Sequence, residues 1–325
     1  MVVDRRWSLW CAAAASVASV IPAPAQADTY PVRPVRVLVG FPPGGGADIL
    51  ARVVCDWLQL RLGQTFIVDN RPGAATNLAT EAVASAPADG YTLLKTTTSN
   101  LLNGALFPDL KYDFVRDIAP VAALSTQPLV FAVVAALPAR SVPEFVAYAK
   151  ANPGKINIGH SGTGTISHLA AEAFKAATGI DAVTVPYRGA APMYIDLLGG
   201  RVHAAFDNIP GSIEHLRMGS LRALAVTTVA RAEALPNAPS VAEFITGYEA
   251  YTIAGVGAPR GTPTDVIGKL NAEINAGLAN PKLKARLAEL GATPLPGTPA
   301  DFGRLVTRET EKWGRLIRAS GIKIN

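Results

Sequence analysis

Two stretches of the sequence bring glycines and small hydroxyl residues to a point where a strand hands over to a helix. The first is Val35-Arg36-Val37-Leu38-Val39-Gly40-Phe41-Pro42-Pro43-Gly44-Gly45-Gly46-Ala47-Asp48. Glycines let a ligand approach the backbone, and the N–H groups and positive dipole end of the following helix favour negative charge, so the chemistry on offer is a cradle for phosphate or carboxylate. No Lys-Ser/Thr pair follows the glycines, and Ile49 stands where a GxGxxG fingerprint would put its last glycine, which argues against nucleotides. Without a ligand, the same residues would make a tight strand-to-helix turn. The second stretch, Gly159-His160-Ser161-Gly162-Thr163-Gly164-Thr165-Ile166-Ser167-His168, has the same setting. Its hydroxyls and N–H groups could grip the other side of an anion, or simply cap the helix.

The enzymatic alternative is a nucleophile elbow with Ser161 attacking and His168 as base. GxSxG fails because Thr163 occupies the last glycine position, and spacing identifies no orienting acid. The four histidines include no HExxH, so no metal is expected. Cys55 shares a helical stripe with Ala51, Leu58 and Leu62, the signature of a core thiol. Other polar candidates sit where strands end: Thr98 and Asn100 within Thr96 to Asn100, Arg188 beside Tyr187 and Gly189, and Asp207 beside Asn208. Ligands of α/β folds gather at such carboxyl ends. Arg188 could pair with a carboxylate or sit on the surface, and Asp207 could accept from a ligand or cap a turn.

These residues need a frame. Short β-rich runs alternate with helical patterns: Val35 to Phe41 predicts a strand, Ala47 to Leu62 a helix ended by Gly63, and further strands are expected at 66–68, 91–96, 129–134, 156–159, 183–187, 202–206, 221–227 and 251–256. Such alternation predicts α/β layers with largely parallel sheets, two of them at this length. Ser141 with Glu144, Thr262-Pro263, Asn280-Pro281 and Thr298-Pro299 mark helix starts. The C-terminal third is helical, with Ile267, Leu270, Ile274 and Leu278 on one face and Phe302, Leu305, Val306, Trp313 and Ile317 on another, so it must dock on a sheet built earlier. That return predicts one lobe from residues 28–128 plus 254–325 and a second from 129–253, with crossings near 129–134 and 251–256.

The chain has 325 residues, 49% hydrophobic and 17% charged, which excludes both a single small module and disorder. Of the formal charge of +5, residues 264–325 carry +4, alternating with apolar residues at helical spacing. With aromatics at only 7%, a solvated face fits better than a nucleic-acid surface. Residues 1–27 read as a signal peptide: Arg5-Arg6, an apolar run from Leu9 to Ile21, and Ala25-Gln26-Ala27 as a cleavage site, so the mature chain begins near Asp28. After cleavage only Cys55 remains, and no intrachain disulfide can form.

The sequence resembles the Bug family, the periplasmic substrate-binding receptors of tripartite tricarboxylate transporters, along the whole mature chain. The resemblance rests on Tyr30-Pro31 with Phe41 to Asp48, Asn70-Arg71-Pro72-Gly73-Ala74, Asp89-Gly90-Tyr91-Thr92-Leu93-Leu94 and Val185-Pro186-Tyr187-Arg188-Gly189. It extends through Asp196-Leu197-Leu198-Gly199-Gly200, Phe206-Asp207-Asn208 and Ala258-Pro259-Arg260-Gly261-Thr262-Pro263. It implies a two-lobed periplasmic binding protein of α/β class, type II-like, that closes in Venus-flytrap fashion on a small organic carboxylate. Joined to the polar candidates above, it gives a site made of Phe41, Gly44, Gly45, Gly46, Ala47 and Asp48, of Ser161, Gly162, Thr163, Gly164, Thr165 and His168, and of Thr98, Asn100, Arg188 and Asp207. It further implies the membrane subunits of a transporter as partners. A periplasmic monomer is expected, with no cofactor, no nucleic acid and no catalysis. A hydrolase using Ser161 and His168, and a carboxylate sensor for a signalling partner, are the alternatives. After Pro72-Gly73 the sequence departs from the family's glycine-rich continuation, reading Ala74-Ala75-Thr76-Asn77-Leu78-Ala79, which leaves the part played by this loop open.

Overall fold

Val35–Val39 is buried at every position but Arg36, as a strand covered on both faces requires, and it forms β1. The computed structural model describes residues 30–107 and 109–320. The expected signal peptide lies outside the described residues. Residues from Pro31 onward form one compact unit, and of the preceding segment only Tyr30 is described.

After β1 come α1 (Gly46–Leu62), β2 (Phe66–Asn70), α2 (Asn77–Ala84), β3 (Thr92–Thr96), α3 (Thr98–Leu106), α4 (Phe114–Asp117) and the long β4 (Ile118–Val134). The middle of the chain gives α5 (Val142–Ala151), β5 (Ile156–His160), α6 (Ile166–Thr178), β6 (Ala182–Pro186), α7 (Ala190–Leu198), β7 (Ala204–Asn208), α8 (Ile209–Arg217) and β8 (Leu221–Val226). The chain ends with β9 (Tyr251–Pro259), α9 (Thr264–Ala279), α10 (Pro281–Glu289), β10 (Thr293–Pro294) and α11 (Pro299–Ser320).

The strands follow the order β2-β1-β3-β9-β4-β7-β5-β6, with β8 and β10 also paired to β4. The expectation of largely parallel sheets needs correcting. The outer pairs β1/β2, β1/β3, β5/β6 and β5/β7 are parallel, but β9 is antiparallel to β3 and β4, and β4 is antiparallel to β7 and β8. The chain runs out along β4 and returns along β9, so the two strands pair without a crossover helix. β4 also begins eleven residues before the expected strand at 129–134. Its first part contains Pro120, Pro128 and the polar run Ser125-Thr126-Gln127, and two register shifts against β9 absorb the irregularity.

Helix starts largely follow the expected caps. Ser141 Oγ accepts from Glu144 N–H, Asn280 from Lys282 and Leu283 N–H, and Thr298 Oγ1 from Asp301 N–H. At Thr262 the helix starts later: Pro263 is the N-cap of α9, and Thr262 Oγ1 donates to Pro259 O instead.

The core has aromatic and aliphatic parts. Phe131 of β4 and Phe206 of β7 face each other in register and stack with centroids 4.5 Å apart, and Phe145 meets Phe131 edge-on at 4.9 Å. Burial of each such ring contributes about 1.5–3 kcal/mol. Phe302 and Val306 of α11 pack with Leu38, Leu94 and Ile253, while Trp313 and Ile317, further along the same helix, pack with Phe174 and Tyr248. The last helix therefore spans the two hydrophobic clusters, and its apolar stripe finds the sheet it needs. Cys55 is buried, as its stripe requires, and burial pushes its thiol up to about 12.

Candidate ligand-binding site

The Gly44–Gly46 turn is folded by Asp48. Its carboxylate accepts from Gly44 N–H, from Arg52 Nε and Nη2, and from Asn70 Nδ2, at 2.9–3.0 Å. Burial pushes this carboxyl up, but those donors outweigh it and hold it below its ordinary value. Asp48 thus shapes the turn from behind. The second turn is also braced from within: Ser161 N–H donates to Ser167 Oγ, Gly162 N–H to His160 Nδ1, Gly164 N–H to His168 Nδ1, and Thr165 Oγ1 to Gly162 O. The rings of His160 and His168 stack at 4.4 Å, and burial, with His168 alongside, lowers His160 to about 4. Most N–H groups of this turn are therefore spent on its own shape, and the hydroxyls of Ser161 and Thr165 both meet Ser167 Oγ.

Both turns line one inner cavity. Phe41, Gly45, Gly46 and Ala47 approach from one side, Ser161, Thr165 and Ile166 from the other, and Lys95, Gln127 and Asp207 complete it. Its volume of about 30 Å³ admits a group the size of a carboxylate. Phe41, Pro42, Ser161 and Thr165 are shared with an outer cavity of about 690 Å³, which adds Gly162, Thr163, Tyr187, Arg188 and the Gly73–Thr76 loop.

Four helices start here. The N-caps of α1, α6, α7 and α8 are Gly45, Thr165, Gly189 and Asn208, and none of these N-termini carries a side-chain cap. Elsewhere, α4, α5 and α10 are capped by Asp113, Ser141 and Asn280, while α2 and α9, whose N-caps are Thr76 and Pro263, also lack a side-chain cap; what sets α1, α6, α7 and α8 apart is that their N-termini meet at one cavity. First-turn N–H groups have no partner inside their own helix, and each N-terminus carries roughly half a positive charge, so the convergence makes a field for an anion.

Of the sequence-based candidates, the structure brings Phe41, Gly45, Gly46, Ala47, Ser161, Gly162, Thr163, Thr165, Arg188 and Asp207 to the two cavities. Gly44, Asp48, Thr98, Asn100, Gly164 and His168 line neither, and their contacts explain why. Thr98 Oγ1 donates to Tyr251 O and accepts from Ile253 N–H, fastening α3 to β9. Asn100 accepts from Thr97 N–H and donates to Thr76 and Thr80 Oγ1. Ser161 Oγ meets Ser167 Oγ at 2.9 Å, while His168 Nδ1 is engaged by Gly164 N–H, so the nucleophile-base pairing is not formed. Asp207 is buried and accepts from Tyr194 Oη at 2.6 Å; burial raises it to about 6, partly offset by that bond.

Sequence reasoning missed Lys95 and Gln127. Lys95 is 3% exposed, donates to Thr96 O at 2.9 Å, and burial lowers it to about 7. Gln127 is buried too, and its Nε2 has no hydrogen-bond partner among the described residues. The available signal was a lysine inside the apolar strand run Leu93-Leu94-Lys95, since a buried polar residue is the informative exception. The Ala74-Ala75-Thr76 loop was left open, and it proves to be unusual: all three residues have positive φ, 45°, 50° and 80°. Non-glycine residues there cost about 1–2 kcal/mol each, and the loop is held by bonds from Asn103 Nδ2 to Ala75 O and from Thr76 N–H to Gly73 O.

A mixed α/β sheet whose two halves are joined through β4 and β9, with helix N-termini converging on a cavity, defines the two-lobed solute-binding class of periplasmic proteins. A sequence profile described as the tripartite tricarboxylate transporter family receptor matches residues 50–322. The chain is 38% identical over 309 residues to Protein BugT of Bordetella pertussis, covering 94% of each. It superposes on R. palustris Rpa4515, solved with adipate, with a TM-score of 0.88 at 39% identity, covering 90% of this chain and 99% of the other. For MatC of Rhodopseudomonas palustris, solved with bound malate, the TM-score is 0.83 at 30% identity, covering 89% of this chain and 100% of the other. The chain belongs to the tripartite tricarboxylate transporter receptor family, the Bug receptors.

Proposed function

We propose that this receptor captures a small organic carboxylate in the periplasm, delivers it to the membrane subunits of a tripartite transporter, and catalyses no reaction. The observation that carries the reading is the convergence of four uncapped helix N-termini on one inner cavity, a donor set and field suited to a carboxylate. The relatives solved with adipate and malate support a dicarboxylate, with one carboxylate in the inner cavity and the remainder in the outer one toward Arg188. Export through the 1–27 leader and action as a monomer belong to the same reading.

β4 pairs with β9 as far as Pro128 and with β7 and β8 from Leu129 onward, which supports a crossing at that point. Ala250 N–H donates to Thr227 O while Tyr251 pairs with Pro128, so we set the return crossing there, a few residues before position 254. One lobe is then 28–128 with about 251–325, the other 129–250. The non-enzymatic reading is supported by the separate engagement of Ser161 and His168. Incubation with a panel of carboxylic acids and their esters tests it: stoichiometric binding of acids without turnover is expected, and ester hydrolysis abolished by Ser161→Ala would contradict it.

A further inference from the structure

The inner cavity holds one buried lysine, Lys95. Lys95 projects from β3, where its neighbours in register are Val39 of β1 and Val256 of β9. Its ammonium has three protons and one hydrogen bond, to Thr96 O. No carboxylate forms a salt bridge with it among the described residues, and Asp48, on the first turn beside the cavity, is taken by Arg52. A buried charge without a counter-charge is costly, and it is tolerated where a ligand supplies the missing partner. Gln127 adds a second, independent sign: it lines the same cavity, and its buried Nε2 has no acceptor among the described residues. Two buried donors, on the strands β3 and β4 that flank β9, line a space of carboxylate size.

Resting on the carboxylate reading above, we propose that Lys95 and Gln127 form the floor of the anion site, the Lys95 ammonium pairing with a ligand carboxylate and taking up a proton as that ligand binds. The groups on neighbouring elements do not supply this charge. Arg36 on β1 is paired with Asp69, Tyr251 on β9 with Glu309, Glu81 on α2 with Lys111, and Asp48 on α1 with Arg52. Asp207 of β7 is the other ionisable side chain lining the cavity. In the free protein burial holds Lys95 at about 7, so near neutrality only part of the population carries the ammonium, and an incoming anion raises it.

The test is calorimetric titration of the mature protein at constant ionic strength from pH 7 to 8.5, in buffers of different ionisation enthalpy. The probe is whichever of adipate, malate, citrate, glutamate and benzoate binds most tightly. Wild type is expected to take up about half a proton at pH 7 and nearly one at pH 8.5, with affinity falling roughly fifteenfold over that range as the competent fraction shrinks. Lys95→Met should bind at least about thirtyfold more weakly and show no lysine-linked uptake. In Asp207→Asn the uptake should persist, which secures the assignment even if the lysine variant folds poorly. Binding with no uptake at pH 8.5, or uptake that disappears in Asp207→Asn, would overturn the role of Lys95 while leaving the receptor reading intact. If none of the acids binds the folded protein at millimolar concentration, the receptor reading fails and this inference with it.

Discussion

Gly189 sits so close to the ring of Pro42 that a Cβ on the glycine would lie 2.6 Å from Pro42 Cγ. Pro42 belongs to the first glycine-rich turn, and Gly189 is the N-cap of α7, so this contact brings the two sides of the cavity together. Gly189 also has φ +108°, a conformation that side chains rarely adopt. Gly189→Ala should therefore lower stability by about 1–3 kcal/mol and weaken ligand binding as well. Adding Pro42→Ala should restore part of the affinity and little of the stability, because it removes the clash but not the strain. Denaturant midpoints and titration calorimetry on both variants check this, and loss of stability without any change in affinity would separate the contact from ligand capture.

Gly45 makes the opposite case. Its φ of −85° suits any residue, and a Cβ would meet only Ala190 Cβ at 3.8 Å and Pro42 O at 3.9 Å. Gly45→Val should cost about 1 kcal/mol or less of stability through the poorer N-cap, yet weaken carboxylate binding about tenfold or more by filling the inner cavity. Unchanged affinity would move the anion site elsewhere.

The strained loop is expected to reveal itself through an inverted glycine effect. At Ala75, with φ 50°, Ala75→Gly should be neutral or stabilising by up to about 1 kcal/mol, because relief of left-handed strain offsets the added chain entropy. Ala285→Gly, on the exposed face of α10, should cost about 1 kcal/mol. Equal destabilisation in the two variants would show that the loop stores no strain.

Acid should weaken the second turn. His160 has its folded value lowered to about 4 by burial and by the adjacent His168, below the ordinary histidine value, so the unfolded chain binds more protons between those limits. Its contribution to stability is complete above about pH 6.5 and is lost as pH falls toward 4, on the order of 3 kcal/mol. Asp207 acts in the opposite sense, since its raised value favours the folded state as pH falls from about 6 toward 4. Urea midpoints measured for wild type and Asp207→Asn separate the two: acid sensitivity should be steeper in the variant. A variant with a shallower pH profile than wild type would contradict these assignments.

The sequence made the turns legible because glycine, proline and hydroxyl residues at a strand-to-helix boundary have few other uses, and Gly45, Ser161 and Thr165 do face one cavity. It was less informative about side chains whose partners are remote in the chain. Thr98 and Asn100 looked like cleft residues because they follow a strand, yet their partners Tyr251, Thr76 and Thr80 turn them into braces. Lys95 was hidden by its apolar surroundings, and the first part of β4 by its prolines and polar residues. These are tertiary effects: burial and pairing, rather than local pattern, decide what such residues do.

If the site recognises carboxylate charge, thermal unfolding will separate matched acids from their amides. A ligand at a hundredfold excess over its Kd stabilises the fold by about 2.7 kcal/mol, which for a chain of this size raises Tm by about 5 °C. At least one of adipate, malate, citrate, glutamate and benzoate should produce such a shift, and its uncharged amide should produce none. Equal stabilisation by acid and amide would contradict the account.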